Sequence, residues 1–287
     1  MTFIDKSRMR RSFDAAASTY DEMAILQHEV GKRVMERLDY IKLEPKRILD
    51  IGAGTGRFAH QLNKRYSSAH VIALDIAHAM LRKTQQGNTW RKKVYCVGGD
   101  AEQLPIQNDS IDMIFSNLAL QWCDDLNITF SDWWRVLNPN GLLMFTTLGP
   151  NTLKELRTSW ASVDDTAHVN PFMDMHDVGD RLIQAGFSDP VMDCEHITLT
   201  YQDIKTLLKE LKGIGAHNVM HDQNRGLTGK TAFKQMAQTY ETFRDQGVLP
   251  ATYEVIYGHA WMPPEKIQKN SHDGIETYIP IDRIQKQ

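Results

Sequence analysis

Apolar and polar positions follow two periods along this chain. Ile48–Ile51, Val71–Asp75, Val94–Val97, Ile111–Ser116 and Leu142–Thr147 are short apolar runs, and each reads as a buried strand of a parallel sheet. Between them apolar residues step by three and four. Phe58, Ala59 and Leu62 mark one helix, Ala77–Gln86 a second, and Leu126, Phe130, Trp133, Trp134 and Leu137 a third, followed by a turn at Asn138–Gly141. Five strand–helix units in series predict a doubly wound α/β fold with right-handed crossovers. Ahead of them, Ser18–Asp21 looks like a helix start. Ala24, Gln27, Val30, Val34, Leu38 and Ile41 then continue one amphipathic helix up to Pro45, while residues 3–20 show only polar positions with scattered aromatics.

The pattern changes after Gly149–Pro150. Helices are expected over Asn151–Trp160 and Met175–Ala185, a strand over Val191–Leu199, helices over Tyr201–Leu211 and Thr231–Arg244, and a last strand over Thr252–Trp261. The expected whole is a mostly parallel, seven-stranded, Rossmann-like sheet with a helical insertion before the last strand. Residues 1–262 would be one domain, with lid segments near 150–190 and 201–247, and 263–287 a polar tail.

Composition narrows the class. With 41% hydrophobic and 24% charged residues and a net charge of -3, the chain has the make-up of a soluble globular protein and lacks the basic excess of a dedicated nucleic-acid binder. Cys96, Cys123 and Cys194 form no C-x-x-C pair, so neither a metal site nor a disulfide framework is expected. No run approaches the ~18 apolar residues of a membrane span and the start carries no signal-like segment, so a cytoplasmic protein with no membrane partner is expected.

The candidate chemistry centres on Asp50-Ile51-Gly52-Ala53-Gly54-Thr55-Gly56, where a buried strand runs into a glycine turn and a helix. Glycines there allow positive φ and let a ligand lie on bare main chain beside the first helical amides. A dinucleotide fingerprint wants a small residue where Arg57 stands, and a P-loop wants a Lys-Ser/Thr pair that is missing. What remains resembles motif I of class I S-adenosylmethionine (SAM) methyltransferases, which implies SAM as cofactor and S-adenosylhomocysteine as product. Ligands of open parallel sheets sit beyond the carboxyl ends of the strands, and the remaining candidates lie there. They are Asp75 for the ribose hydroxyls with Ile76 beside it, Asp100 and the Ala101 amide for the adenine, Asn117 and Leu118 for the methionine part, and Gln121 and Trp122 towards the substrate. Asp50 has two readings, bonded to loop amides or turned to the methionine ammonium. Glu102 reads as solvent-facing or structural.

The motifs Phe13-x-x-Ala16-x-x-x-Tyr20, ILDIGAGTG, GGDAEQLP, SNLALQW, FTTLGPNTLKELR, GIGAHN and LPATYEVIYGHAW together resemble the malonyl-acyl-carrier-protein O-methyltransferases of biotin synthesis (the BioC family) over almost the whole chain except the tail. The resemblance implies methylation of the free carboxylate of a malonyl thioester on acyl-carrier protein. A carboxylate is ionised at neutral pH and needs no general base. Expected pocket residues are Tyr20, Gln121, His217 and Tyr253, with Tyr257, His259 and Arg11 behind them. Each has a structural alternative: Tyr20 as a helix-entry residue, His217 bonded to its own loop, one of the two tyrosines in the core. An acidic carrier protein calls for basic residues at the cleft mouth, and Lys154, Arg157, Lys205, Lys209, Lys212, Arg225 and Lys230 are the candidates. The same C-terminal motifs also resemble SAM-fold arginine hydroxylases that assist assembly of respiratory complex I. A non-catalytic SAM binder and a quinone- or sterol-type methyltransferase complete the alternatives.

Overall fold

The computed structural model describes residues 4–216 and 229–266. Its sheet has seven strands: β1 (Arg47–Ile51), β2 (His70–Asp75), β3 (Val94–Gly98), β4 (Ile111–Ser116), β5 (Leu137–Leu148), β6 (Ser188–Tyr201) and β7 (Leu249–Trp261), in the order β3-β2-β1-β4-β5-β7-β6. β1 to β5 are mutually parallel and β7 enters antiparallel between β5 and β6. The order reverses at β1, which lies between β2 and β4, so a crevice opens beyond the carboxyl ends of β1 and β4.

Residue alternation explains why both faces are covered. Ile48, Val71 and Met113 point to one face, where they meet Val30 and Val34 of α3 (Ile25–Arg37) and Phe58 and Leu62 of α4 (Arg57–Arg65). Leu49, Leu74, Ile114 and Leu143 point to the other, against Phe130 and Trp133 of α6 (Leu126–Val136) and Leu182 of α8 (Met175–Ala185). Asp125, Asp174 and a left-handed Gly186 fix the ends of these last two helices.

Four departures from the sequence expectation have local causes. Residues 3–20 hold a helix, α1 (Lys6–Ala16), started by Asp5, whose side chain accepts from the Arg8 N–H at 2.9 Å. The long amphipathic helix is divided at Ala24 into α2 (Tyr20–Met23) and α3, because Ala24 leaves the helical region at ψ 47. The turn at Asn138–Gly141 is absorbed into β5: Ile111 pairs with Leu137 but Met113 with Leu142, and the extra residues bulge out through Asn140 at φ 59. The helix expected from Asn151 begins only at Lys154 (α7, Lys154–Ala161), because Leu153 sits at φ 52. α5 (His78–Gln86), α9 (Ile204–Gly213) and α10 (Lys230–Glu241) lie within a residue or a few of expectation.

Candidate active site

A partly open cavity occupies the crevice at the strand reversal, lined by the ends of β1, β2 and β4, by α1 and by the connection between α7 and α8.

The floor is the glycine turn. Gly52 and Ala53 donate their N–H groups to the Leu74 carbonyl at 2.8 and 3.1 Å, which pulls the turn against the end of β2. Gly52 and Gly54 then line the cavity with main chain, at φ 71 and 56. Gly56 does not line it. A side chain there would collide with Thr84, so the third glycine serves packing between α4 and α5.

The Asp75 carboxylate joins two loops, accepting from the Gly54 N–H through Oδ2 and from the Ala77 N–H through Oδ1, both at 2.8 Å. It still lines the cavity, and burial pushes it up to about 6 against the opposing effect of those amides. Ile76 lies next to it on the wall. Asp50 stands apart: it is 2% exposed and is not on the cavity wall. Its Oδ2 has no hydrogen-bond partner among the described residues, and burial, reinforced by the charge of Asp75, pushes it up to about 8. The Ala59 backbone N–H in the first turn of α4 is hydrogen-bonded to this carboxyl, in keeping with the reading that ties it to local amides, and the carboxyl stays behind the floor.

Asp100 and Ala101 line the end of the cavity beyond β3. Asp100 Oδ1 is 3.2 Å from Lys6 Nζ, and the same ammonium lies 2.5 Å from Glu102. Glu102 also accepts from the N–H groups of Asp124 and Asp125, each at 2.9 Å, so its role is structural. Beyond β4, the Leu118 N–H donates to Thr146 Oγ1, which donates to Asn117 Oδ1, each at 2.9 Å; Asn117 Nδ2 in turn donates to the Gln27 carbonyl of α3 at 2.9 Å. That relay presents Asn117 and Leu118 to the cavity, with Leu118 at φ 50. Gln121 Nε2 donates to the Leu118 carbonyl at 2.7 Å, and its Oε1 is buried without a partner among the described residues.

The cover comes from both ends of the chain. Lys6, Met9 and Phe13 of α1 lie over the cavity, with Phe13 edge-on to Trp122 at 5.3 Å. Tyr20 follows from α2 and Tyr253 from β7. Burial raises both phenols, which keeps them protonated donors. Tyr253 is hydrogen-bonded to Tyr201, whose hydroxyl donates to Glu210 Oε1 at 2.9 Å. Leu156, His168 and Asn170 close the remaining side.

Of the residues expected behind the pocket, Tyr257 and His259 face a separate shallow groove beside Arg37, whose guanidinium lies 4.0 Å over the Tyr257 ring. Four residues of strand past Tyr253 span ~13 Å, too far to share its cavity. Arg11 is exposed on α1 and off the wall. His217 and Arg225 lie outside the described residues. Arg157 is folded inward, donating to the Pro150 and Thr152 carbonyls at 2.7 and 3.2 Å; Lys154, Lys205, Lys209, Lys212 and Lys230 are exposed. Lys6 and Phe13 were missed although Asp5 followed by Met9, Phe13, Ala16 and Ala17 carries a helical signal. His168 and Asn170 had none, since they sit in the connection between α7 and α8.

A methyltransferase-domain family model matches residues 49–145. The chain is 50% identical over 284 residues to the malonyl-[acyl-carrier protein] O-methyltransferase of Gallionella capsiferriformans, covering 97% of this chain and 98% of that one. It is 49% identical over 270 residues to the protein of that name from Methylovorus sp., covering 92% and 91%. Among solved structures it resembles the YcgJ protein of Bacillus subtilis with a TM-score of 0.56 at 15% identity, over 80% of this chain and 97% of that chain.

Proposed function

The chain belongs to the malonyl-[acyl-carrier protein] O-methyltransferase family, and we propose that it transfers a methyl group from S-adenosylmethionine to the free carboxylate of a malonyl thioester on acyl-carrier protein, making the methyl ester that primes biotin synthesis. The observation that carries this reading is likeness to curated methyltransferases of that name across 97% of the chain. No observation favours the hydroxylase, the quinone-type enzyme or the non-catalytic binder.

The residues present fit the cofactor. Gly52 and Gly54 offer bare main chain, Asp75 keeps a carboxylate towards the cavity for the ribose, and Asp100 with Ala101 suits the adenine edge. Gln121 Oε1, buried and unpartnered, suits an N–H or ammonium donor beside Asn117 and Leu118. When bound, SAM supplies a methyl group on a positively charged sulfur that leaves as a neutral thioether. The chain's own contribution is placement and exclusion of water. Tyr20, held protonated, is a donor to the acyl group, Tyr253 shapes the wall with its hydroxyl bonded to Tyr201, and the acceptor carboxylate needs no base.

Helices α1, α7, α9 and α10 form the lid in this reading, and residues 1–262 act as one methyltransferase domain. The exposed lysines of α7, α9 and α10 suit the acidic surface of a carrier protein. Three unpaired cysteines suit a reducing cytoplasm, and among the described residues no helix is long and apolar enough to cross a membrane. Complementation tests the reading: the chain is expected to restore growth of a biotin auxotroph lacking this step while Asp75→Ala does not, and failure of the unaltered chain when stably expressed would refute it.

A further inference from the structure

We propose that the connection between α7 and α8 is the subsite for the free carboxylate of the malonyl group, with His168 and Asn170 as donors and Asp164 as the positioning residue. This rests on the function proposed above and assigns its substrate recognition to particular side chains. Both donors line the same cavity as the cofactor residues but come from a different part of the chain, outside the strand ends.

Asn170 brings a side-chain amide to the cavity whose Oδ1 is buried and has no hydrogen-bond partner among the described residues. Rotation exchanges the amide's oxygen and nitrogen, so it can turn an N–H towards an acidic ligand. An unsatisfied buried amide is costly to keep, and a bound acceptor removes that cost. The other orphan in the cavity, Gln121 Oε1, cannot serve here. Its nitrogen is committed to the Leu118 carbonyl, so it offers only an acceptor.

His168 is built in with more care than an idle wall residue needs. Its ring stacks on Trp160 with centroids 3.8 Å and planes 8° apart, and its Nε2 donates to Asp164 Oδ1 at 2.9 Å. Asp164 is itself fixed by the Thr166 N–H at 2.9 Å and by the Thr166 hydroxyl. These bonds hold its carboxyl below the usual carboxylate range. With Nε2 held by Asp164, Nδ1 is the ring nitrogen left to meet a ligand in the cavity.

Among the described residues the cavity has no better anion holder. Lys6 is the one lysine or arginine among the described lining residues, and it is engaged by Asp100 and Glu102. Two modest donors also suit the chemistry: they can hold one carboxylate oxygen and leave the other free to attack, where a guanidinium clasp would draw charge from both.

The test measures binding of malonyl- and acetyl-loaded carrier protein to the full chain by calorimetry in the presence of S-adenosylhomocysteine. Wild type is expected to prefer the malonyl form at least tenfold. His168→Phe, which keeps the stack, and Asn170→Ala should each cut that preference about tenfold, and Asn170→Asp, the same shape with a repelling charge, should abolish it. Affinities for the acetyl form and for S-adenosylhomocysteine should stay unchanged, a combination that a merely structural role would not produce. No malonyl preference in wild type, or an undiminished one in Asn170→Asp, overturns the subsite. If wild type prefers the malonyl form yet transfers no methyl group to it, the subsite stands and the proposed reaction falls.

Discussion

Thr252 on β7 is bonded twice by Glu155 on α7: its N–H donates to Oε2 at 3.1 Å and its hydroxyl donates to Oε1. The Thr252 carbonyl accepts from the Leu153 N–H at 2.6 Å, and two residues on, Glu254 accepts from the Asn151 N–H at 2.6 Å. Two of the motifs that carry the family resemblance, FTTLGPNTLKELR and LPATYEVIYGHAW, therefore act as one clasp, which fixes Tyr253 between its bonded neighbours. Glu155→Ala leaves two buried donors unpaired and is expected to cost about 2–4 kcal/mol by urea denaturation. Glu155→Gln keeps one acceptor and should cost about half as much. Cofactor affinity should hardly change in the Gln variant, since the clasp lies on the lid side.

Asp75 serves the glycine turn and the cofactor together. Asp75→Asn turns one of its two acceptors into a donor facing the Gly54 or Ala77 N–H. A hydrogen bond to a charged group is worth about 1.5–3 kcal/mol, so calorimetry with S-adenosylhomocysteine should show a loss of roughly 10- to 100-fold. An unchanged affinity would remove Asp75 from the cofactor site.

The three glycines of the turn should respond differently to alanine. Gly54→Ala meets only Tyr20 at 3.8 Å and bears the strain of φ 56 alone, about 1–2 kcal/mol. Gly52→Ala and Gly56→Ala also bring the new Cβ to 2.3 Å from Ala119 Cβ and 2.4 Å from Thr84 Cγ2. Thermal melting should rank Gly54→Ala as the mildest of the three. Trimming the obstacle, as in Gly56→Ala with Thr84→Ser, should recover part of the loss.

Much of this was legible beforehand because strands and glycine turns answer to local rules. Short apolar runs marked β1 and β4, and positive φ at Gly52 and Gly54 was implied by residue type. What stayed hidden depends on distance in space. Nothing local says that Lys6 will reach Asp100, or that Tyr253 and Tyr257, on one face of one strand, serve different cavities. The side chain of His168 takes its place from Trp160 and Asp164, contacts that no periodicity encodes. Asp50 was recognised as a buried acid in need of a partner. Its isolation from the cavity follows from the direction of a single residue at the end of β1.

Asp50 and Asp75 also set a pH dependence. Both are raised on folding, from the usual carboxylate value to about 8 and about 6. Between the unfolded and folded values the native state binds more protons than the unfolded chain, so stability falls as pH rises through that window. The contribution is complete below about pH 4, is lost by about pH 6 for Asp75 and is lost by about pH 8 for Asp50. Urea midpoints of the ligand-free protein should therefore decline from pH 6 to 9, and Asp50→Asn should flatten that decline. A steeper decline in the variant would contradict a protonated Asp50.

Transfer of label from methyl-labelled SAM to malonyl acyl-carrier protein bears most directly on the reaction. The label is expected on the carrier protein, dependent on its malonyl group, absent with the acetyl form, and released as methanol by mild base, as a carboxylate ester requires. Label that never reaches the malonyl carrier, or that reaches it in a base-stable linkage, would contradict methylation of the free carboxylate.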